Sequence, residues 1–309
     1  MRALVTGGAG FIGSHIVDRL LADGHEVRVL DDFSTGKESN LPDDARLHVI
    51  RGDVGDFDTV ASAVAGVDWV FHEAAVASVP KTLEDPLGSH RTNYVGTLNV
   101  LEASRRADVK RVMFAASAAA YGDEATPPHR EDMPVNPLSP YAVDKVASEH
   151  ICSVYHRLYG LETVCLRYFN VFGPRQDPSS PYSGVISIFA ECLKEGRRPT
   201  IYGDGKQTRD FVCVGDVVDA NMKAAITPGI DGRLFNIGTG QAITLNRLLV
   251  AIENVWGAGS EPAYEEPRIG DIRDSAADVS RAAAELGWSA KIGLEAGLRI
   301  LLASAPASG

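Results

Sequence analysis

The stretch Arg2-Ala-Leu-Val-Thr6 is short and β-prone, and it runs directly into Gly7, Gly8, Gly10 and Gly13. Beyond this loop Ile16, Val17, Leu20 and Leu21 recur at helical spacing. Strand, glycine turn and helix in that order leave few folds open. Glycine permits the tight turn, lets backbone approach a pyrophosphate and lets the helix pack close to the sheet. The helix N-terminus then faces the phosphates. Glu26-Val-Arg-Val-Leu30 forms a second strand ending in Asp31-Asp32. Asp31 falls roughly 20 residues beyond the loop, where an acid takes adenosine ribose hydroxyls. A carboxylate there repels a 2′-phosphate, which favours NAD over NADP. Asp32 also fits a turn or helix cap.

The alternation continues. Leu47 to Ile50, Trp69 to His72, Arg111 to Phe114 and Thr163 to Arg167 read as further strands, separated by helical patterns such as Thr97 to Ala107 and Ala142 to Tyr159. The expected fold class is therefore α/β, a doubly wound parallel Rossmann sheet with a smaller C-terminal α/β lobe that binds substrate. Residues 1–165 are expected to form the NAD-binding domain, with segments near 209–240 returning to it, and residues 166–309 the nucleotide-sugar-binding domain. Binding groups in such sheets gather at the carboxyl ends of the strands, where Asp31, Asp53, Ala74 and Ser117 fall.

Tyr141 and Lys145 are four residues apart on one of these helices, so their side chains share a face. Tyrosine is a poor base at neutral pH, with an ordinary pKa of about 10. Lowering it by ~3 units takes roughly 4 kcal/mol of differential interaction, which a close ammonium and a charged nicotinamide ring could supply. The expected product is a general base, with Ser117 upstream as its partner.

A formal charge of −11, with no basic block, argues against nucleic acid or an anionic membrane as partner. Cys152, Cys165, Cys192 and Cys213 show no pairing pattern and read as free thiols, and the histidines lack metal-ligand spacing. No apolar run is long enough to span a bilayer, and Met1 to Leu4 lead directly into the glycine loop, leaving no room for a signal peptide. The expected location is cytoplasmic, with no metal.

Taken jointly, these motifs resemble the extended short-chain dehydrogenase/reductases, and among them the NAD-dependent nucleotide-sugar 4-epimerases of the UDP-galactose 4-epimerase type. The residues that carry the resemblance are Thr6-Gly7-x-x-Gly10-x-x-Gly13, Asp31, Asp53-Val54, His72-x-Ala74-Ala75, Asn93-x-x-Gly96-Thr97, Ser117 to Gly122, and Pro140-Tyr141-x-x-x-Lys145. Arg167 to Pro174 and Gly203-Asp-Gly-x-Gln-x-Arg-Asp-Phe211 complete them. The resemblance implies that Gly7, Gly10, Phe11, Ile12, Gly13, Asp31, Asp32, Asp53 and Val54 hold the adenosine diphosphate half of NAD. Ala74, Ala75, Asn93, Tyr141, Lys145 and Tyr168 are implied toward the remainder, Lys145 at the nicotinamide ribose. Ser117, Tyr141 and Lys145 are the implied catalytic set. Asn170, Arg209 and Arg268 are implied at the diphosphate, Asp271 at the uridine ribose, and Thr200 and Tyr202 at the uracil. In the family the helices spanning 92–107 and 141–159 pair into a four-helix interface, which implies a homodimer.

Three features narrow the reaction. After Ser117 the chain reads Ala118-Ala119-Ala120, whereas the related dehydratases and decarboxylases place acids there; alanine transfers no proton. Ser275 matches a gate that is a bulky tyrosine in relatives restricted to non-acetylated hexoses, so serine leaves room for an acetamido group. Ser78, within Ala77-Ser78-Val79-Pro80, points the same way. The expected activity interconverts UDP-glucose with UDP-galactose, and their N-acetyl forms, at C4. A UDP-glucuronate 4-epimerase, a net nucleotide-sugar oxidoreductase and a non-catalytic NAD sensor are the alternatives. Glu73, beside the nicotinamide loop, departs from the UDP-galactose type.

Overall fold

The computed structural model describes residues 1–123, 126–177, 184–257, 259–267 and 272–304. The first half alternates strand and helix except between β2 and β3: β1 (Arg2–Thr6), α1 (Phe11–Ala22), β2 (Glu26–Asp31), β3 (Leu47–Arg51), α2 (Phe57–Val64) and β4 (Trp69–His72). Two short helices, α3 (Val79–Glu84) and α4 (Pro86–His90), lead through a π-helical turn, Arg91–Val95, into α5 (Gly96–Arg106). Then come β5 (Arg111–Ser117), α6 (Pro140–Tyr159) and β6 (Glu162–Tyr168). The second half contains β7 (Asn170–Phe172), α7 (Val185–Lys194), β8 (Thr200–Tyr202), β9 (Thr208–Cys213), α8 (Val214–Ile226) and β10 (Arg233–Ile237). β11 (Ala242–Thr244), α9 (Leu245–Trp256), β12 (Ala263–Glu265) and α10 (Leu294–Ser304) follow.

The central sheet is parallel throughout, in the order β3-β2-β1-β4-β5-β6-β10. Its inner strands are apolar on both faces because helices cover both sides, as a parallel sheet requires. Val5, Phe71, Met113 and Leu166 face one layer with α1 and α8; Leu4, Val70, Phe114 and Cys165 face the other, with α2, α5 and α6. Burying each large side chain contributes about 1.5–3 kcal/mol, so both layers anchor the strand ends that carry the site.

β6 runs to Tyr168, past the expected boundary at 165, and β10 pairs with it as the sheet's seventh strand. β9 instead joins β7 and β11 in a small separate sheet, β8 pairs with β12, and Phe189, Phe211, Leu248 and Leu298 form the core around them. Of the segment 209–240, then, α8 and β10 lie with the large sheet and β9 does not.

Candidate functional site

Between β1 and β4 the strand order reverses direction, and there the carboxyl ends open a cleft. It holds about 270 Å³ and is lined by Gly7, Gly10, Phe11, Ile12 and Gly13 at its centre. Asp31, Asp32, Asp53 and Val54 lie at one end; Glu73, Ala74 and Ala75 lie at the other. The glycines are there for space. Gly7 has φ +67°, and a Cβ on it would come within 2.7 Å of the Ala74 backbone nitrogen. A Cβ on Gly13 would collide with the Gly7 carbonyl.

The residues present fit a dinucleotide. α1 begins at Gly10 with no side-chain cap and no acid in its first turn, so its free N–H groups are left for an anion. Asp31 is built into the wall: its carboxylate accepts from Ala9 N at 2.9 Å and Phe33 N at 2.8 Å. Burial pushes its pKa up, against the pull of these two bonds. Asp32 caps a turn, accepting from Ser34 N and Ser34 Oγ through one oxygen, although it also reaches the cleft. Asp53 stands more open, holding Gly55 N at 2.7 Å.

A one-way chain of hydrogen bonds runs beneath the cleft. The Thr97 hydroxyl donates to the Asn93 carbonyl at 2.6 Å, so the Thr97 oxygen is free to accept from His72 Nε2 at 3.0 Å. Nδ1 then accepts from the Thr6 hydroxyl at 2.7 Å, and the Thr6 oxygen accepts from Ala74 N at 3.3 Å. This assigns a neutral imidazole from the network. Burial, then the Lys145 charge, pulls the His72 pKa down to about 3, in agreement. The chain ties β1, β4 and the π-helical turn together.

Ser117, Tyr141 and Lys145 come together one strand beyond Glu73, at the end of β5. Ser139 caps α6 by accepting from Ala142 N, and Pro140 sits in its first turn, which fixes where Tyr141 enters. Ser117 shares a hydrogen bond with the Tyr141 phenol and accepts from Ala119 N at 3.2 Å. Lys145 is buried, donates to the Ala115 carbonyl at 2.6 Å and lies 5.8 Å from the Tyr141 ring centroid. Burial pulls its pKa down to about 8, resisted first by the Glu73 charge.

The protein's own groups leave the pKa of Tyr141 above its ordinary value. Burial pushes it up from 10, the Ser117 hydrogen bond pulls it down, and the Glu73 charge pushes it up again, with a net rise. The spacing does place lysine and tyrosine on one helix face. The ammonium is engaged with a carbonyl, and by itself it does not lower the phenol.

Three further residues of the reading above have polar groups engaged with the protein. Asn93 is 2 % exposed, and both ends of its amide grip Val76, through Val76 N at 2.8 Å and the Val76 carbonyl at 3.3 Å. It shapes the wall, while its neighbour Thr92 lines the cleft. The Tyr168 hydroxyl donates to Glu73 at 2.8 Å and accepts from Asn221 Nδ2 at 2.7 Å, so its polar end is turned to the protein. Ser78 caps α3 by accepting from Lys81 N at 3.3 Å.

In the second half Asn170 is exposed at the start of β7, Thr200 and Tyr202 are half-buried on β8, and Arg209 lies on β9, bonding the Thr208 and Arg273 carbonyls. Ser275 is 8 % exposed, its backbone N–H donating to the Thr208 carbonyl at 3.2 Å. Asp210 is fully buried and gathers Thr239 N and Oγ1, Gly240 N and Ala277 N. Arg268 and Asp271 lie outside the described residues. Sequence reasoning did not single out Thr92, Ser34, Thr35 and Gly52, which also line the cleft. For Thr92 the only signal was its place beside Asn93.

The model of the NAD dependent epimerase/dehydratase family matches residues 3–238. Over 303 residues the chain is 44 % identical to the UDP-glucose 4-epimerase of Mycolicibacterium smegmatis, covering 96 % of each. The UDP-glucose 4-epimerase of Thermotoga maritima, solved with UDP-glucose, superposes with a TM-score of 0.94 at 39 % identity, covering 98 % of both chains. The UDP-N-acetylglucosamine 4-epimerase of Methanobrevibacter ruminantium, solved with UDP-N-acetylmuramic acid, gives a TM-score of 0.94 at 38 % identity, covering 98 % of this chain and 97 % of that one.

Proposed function

Because the chain belongs to the NAD dependent epimerase/dehydratase family, we propose that it inverts UDP-hexoses at C4 through a 4-keto sugar. The observation that carries this reading is the Ser117, Tyr141 and Lys145 cluster beside the dinucleotide cleft, followed by Ala118 and Ala119. NAD held in the cleft would supply reversible hydride acceptance for oxidation and reduction at C4. Tyr141 takes the C4 hydroxyl proton, and Ser117, already bonded to the phenol, steadies the reacting oxygen and relays its proton. Lys145 brings one positive charge to the same face of α6. The glycine loop and α1 would hold the diphosphate, Asp31 would take the adenosine ribose, and Asp53 would join the set around the adenosine diphosphate half.

Alanine at 118 and 119 supplies neither acid nor base, which disfavours the elimination and decarboxylation chemistries. Asn170, Thr200, Tyr202, Arg209, Arg268 and Asp271 are proposed for the UDP part, and Ser275 for tolerance of an acetamido group. Exposed Leu83 and Leu87 on α3 and α4, with Val143 and Leu158 on α6, support a homodimer through this side. The four free, buried cysteines support a cytoplasmic location. Among the described residues no helix is long and apolar enough to cross a membrane.

The test is a panel of UDP-glucose, UDP-N-acetylglucosamine and UDP-glucuronate incubated with the holoenzyme, with C4 inversion scored by NMR of the product sugars. Inversion of the neutral hexoses is expected. Inversion of UDP-glucuronate alone, or sustained net formation of reduced cofactor, would replace this reading.

A further inference from the structure

Glu73 follows the last residue of β4, and its backbone N–H is held by the Thr6 carbonyl at 3.1 Å. Its side chain lines the cleft at the end nearest Ser117 and Tyr141. The carboxyl is fixed by the 2.8 Å bond from Tyr168, whose oxygen is in turn held by Asn221 of α8. Strands β6 and β4 and helix α8 therefore converge on one acid that the proton transfers described above do not use.

The charges around it are few. Lys145 on α6 is its cationic neighbour, and Tyr141 on the same helix feels its charge. His72, the preceding residue, is neutral within the Thr6 and Thr97 chain. From α1, His15 is turned to the Pro174 carbonyl at 3.0 Å. Tyr168 is held protonated by burial.

We propose that Glu73 sets the redox balance of the bound nicotinamide, its carboxylate stabilising the oxidised, positively charged ring and offsetting the Lys145 cation on the same site. Reduction adds a hydride, two electrons with one proton, and removes the ring's positive charge. A fixed negative charge nearby stabilises the ring before that event and not after it. Lys145 acts in the opposite sense. An enzyme that must begin each cycle with oxidised cofactor gains from such an acid. Burial pushes the Glu73 pKa up to about 7, opposed first by the Tyr168 bond and then by Lys145, so this effect is switched off as pH falls through neutrality.

The inference rests on NAD occupying the cleft and not on the identity of the sugar. Its test equilibrates the holoenzyme with mixtures of NAD⁺ and NADH, removes free nucleotide, and reads the reduced fraction by absorbance. Wild type is expected to favour NAD⁺ at about pH 8 and to lose that preference as pH falls through about 7. Glu73→Gln should shift the ratio toward NADH on the order of tenfold at the higher pH, and abolish the gain in NAD⁺ preference that wild type shows as pH rises through about 7. Tyr168→Phe keeps the acid but removes its donor, so the wild-type pH dependence should persist with its midpoint moved upward. Equal ratios in wild type and Glu73→Gln at every pH would overturn the proposal. Should Glu73→Gln fail to fold or to hold nucleotide, an unmoved midpoint in Tyr168→Phe would do so. A wild type that binds no nucleotide overturns the cofactor assignment, and this proposal with it. An intact ratio without epimerisation overturns only the reaction proposed above.

Discussion

The Lys145 ammonium lies 5.8 Å from the centroid of the Tyr141 ring and gives its 2.6 Å hydrogen bond to the Ala115 carbonyl. One turn of α6 separates the two residues. The lysine thus acts on the tyrosine through space, while its proton is anchored to the last strand before the reacting groups. Burial raises the phenol, so its ionisation calls for further positive charge in the cleft; burial also lowers the ammonium to about 8, and the Glu73 charge opposes that fall.

Epimerisation should therefore decline as pH rises through about 8, because Lys145 loses its proton there and the cation beside Tyr141 disappears. Glu73 holds that proton on, so Glu73→Gln should move the alkaline limb to lower pH. Tyr141→Phe should reduce kcat by on the order of 10²–10⁴-fold while bound NAD is retained. Steady-state pH profiles and nucleotide content of the purified variants check all three statements. An alkaline limb unchanged by Glu73→Gln would break the link between the two charges.

Gly13→Ala should lose both nucleotide and stability. The new methyl group would meet the Gly7 carbonyl, and moving that carbonyl displaces Gly7, which already sits at φ +67° against Ala74. Thermal melting with and without added NAD⁺ is the measurement, and a wild-type response to NAD⁺ contradicts the expectation.

Glu73→Gln should stabilise the fold at about pH 8. The acid's pKa is near 7 when folded, against 4.5 for the ordinary side chain. Between those values the unfolded chain releases the proton and the folded chain keeps it, so stability falls as pH rises. The full penalty, roughly 3 kcal/mol, is present above pH 7 and absent below about pH 4. Melting temperatures of the two proteins should converge in acid and separate in base. Constant separation at all pH values would show that Glu73 is not buried as an acid.

Ser275→Tyr should lower kcat/KM for UDP-N-acetylglucosamine on the order of tenfold or more while sparing UDP-glucose. Equal losses on both sugars would remove the gate and leave Ser275 a packing residue beside Thr208.

Much of the fold was legible because its signals are local. The glycine loop, the acid ending β2, the apolar strands and the four-residue step from Tyr141 to Lys145 each lie within a short window of chain. The contacts that were not legible join distant segments. Asn93 lay in a cofactor motif, and nothing in that window showed that its amide bonds both ends of Val76. Tyr168 shared a motif with the site, yet its hydroxyl meets Glu73 across two strands. Ser78 became a helix cap because α3 begins there. What Lys145 does to Tyr141 was not legible for a related reason: helical spacing sets which residues are neighbours, whereas burial and the direction of the ammonium's hydrogen bond set what one does to the other.

Asp210 has a consequence for how preferences can change over generations. The segment carrying Ser275 is mounted through Ala277 N on Asp210, through Ser275 N on the Thr208 carbonyl, and through the Asp274 carboxylate on the Thr208 hydroxyl. All three are attachments that a change of side chain at 275 leaves in place. A single codon change there can alter the aperture while the mount is inherited intact. If the gate holds, acetylated and plain sugars are separated by a short evolutionary step rather than by a rebuilt loop.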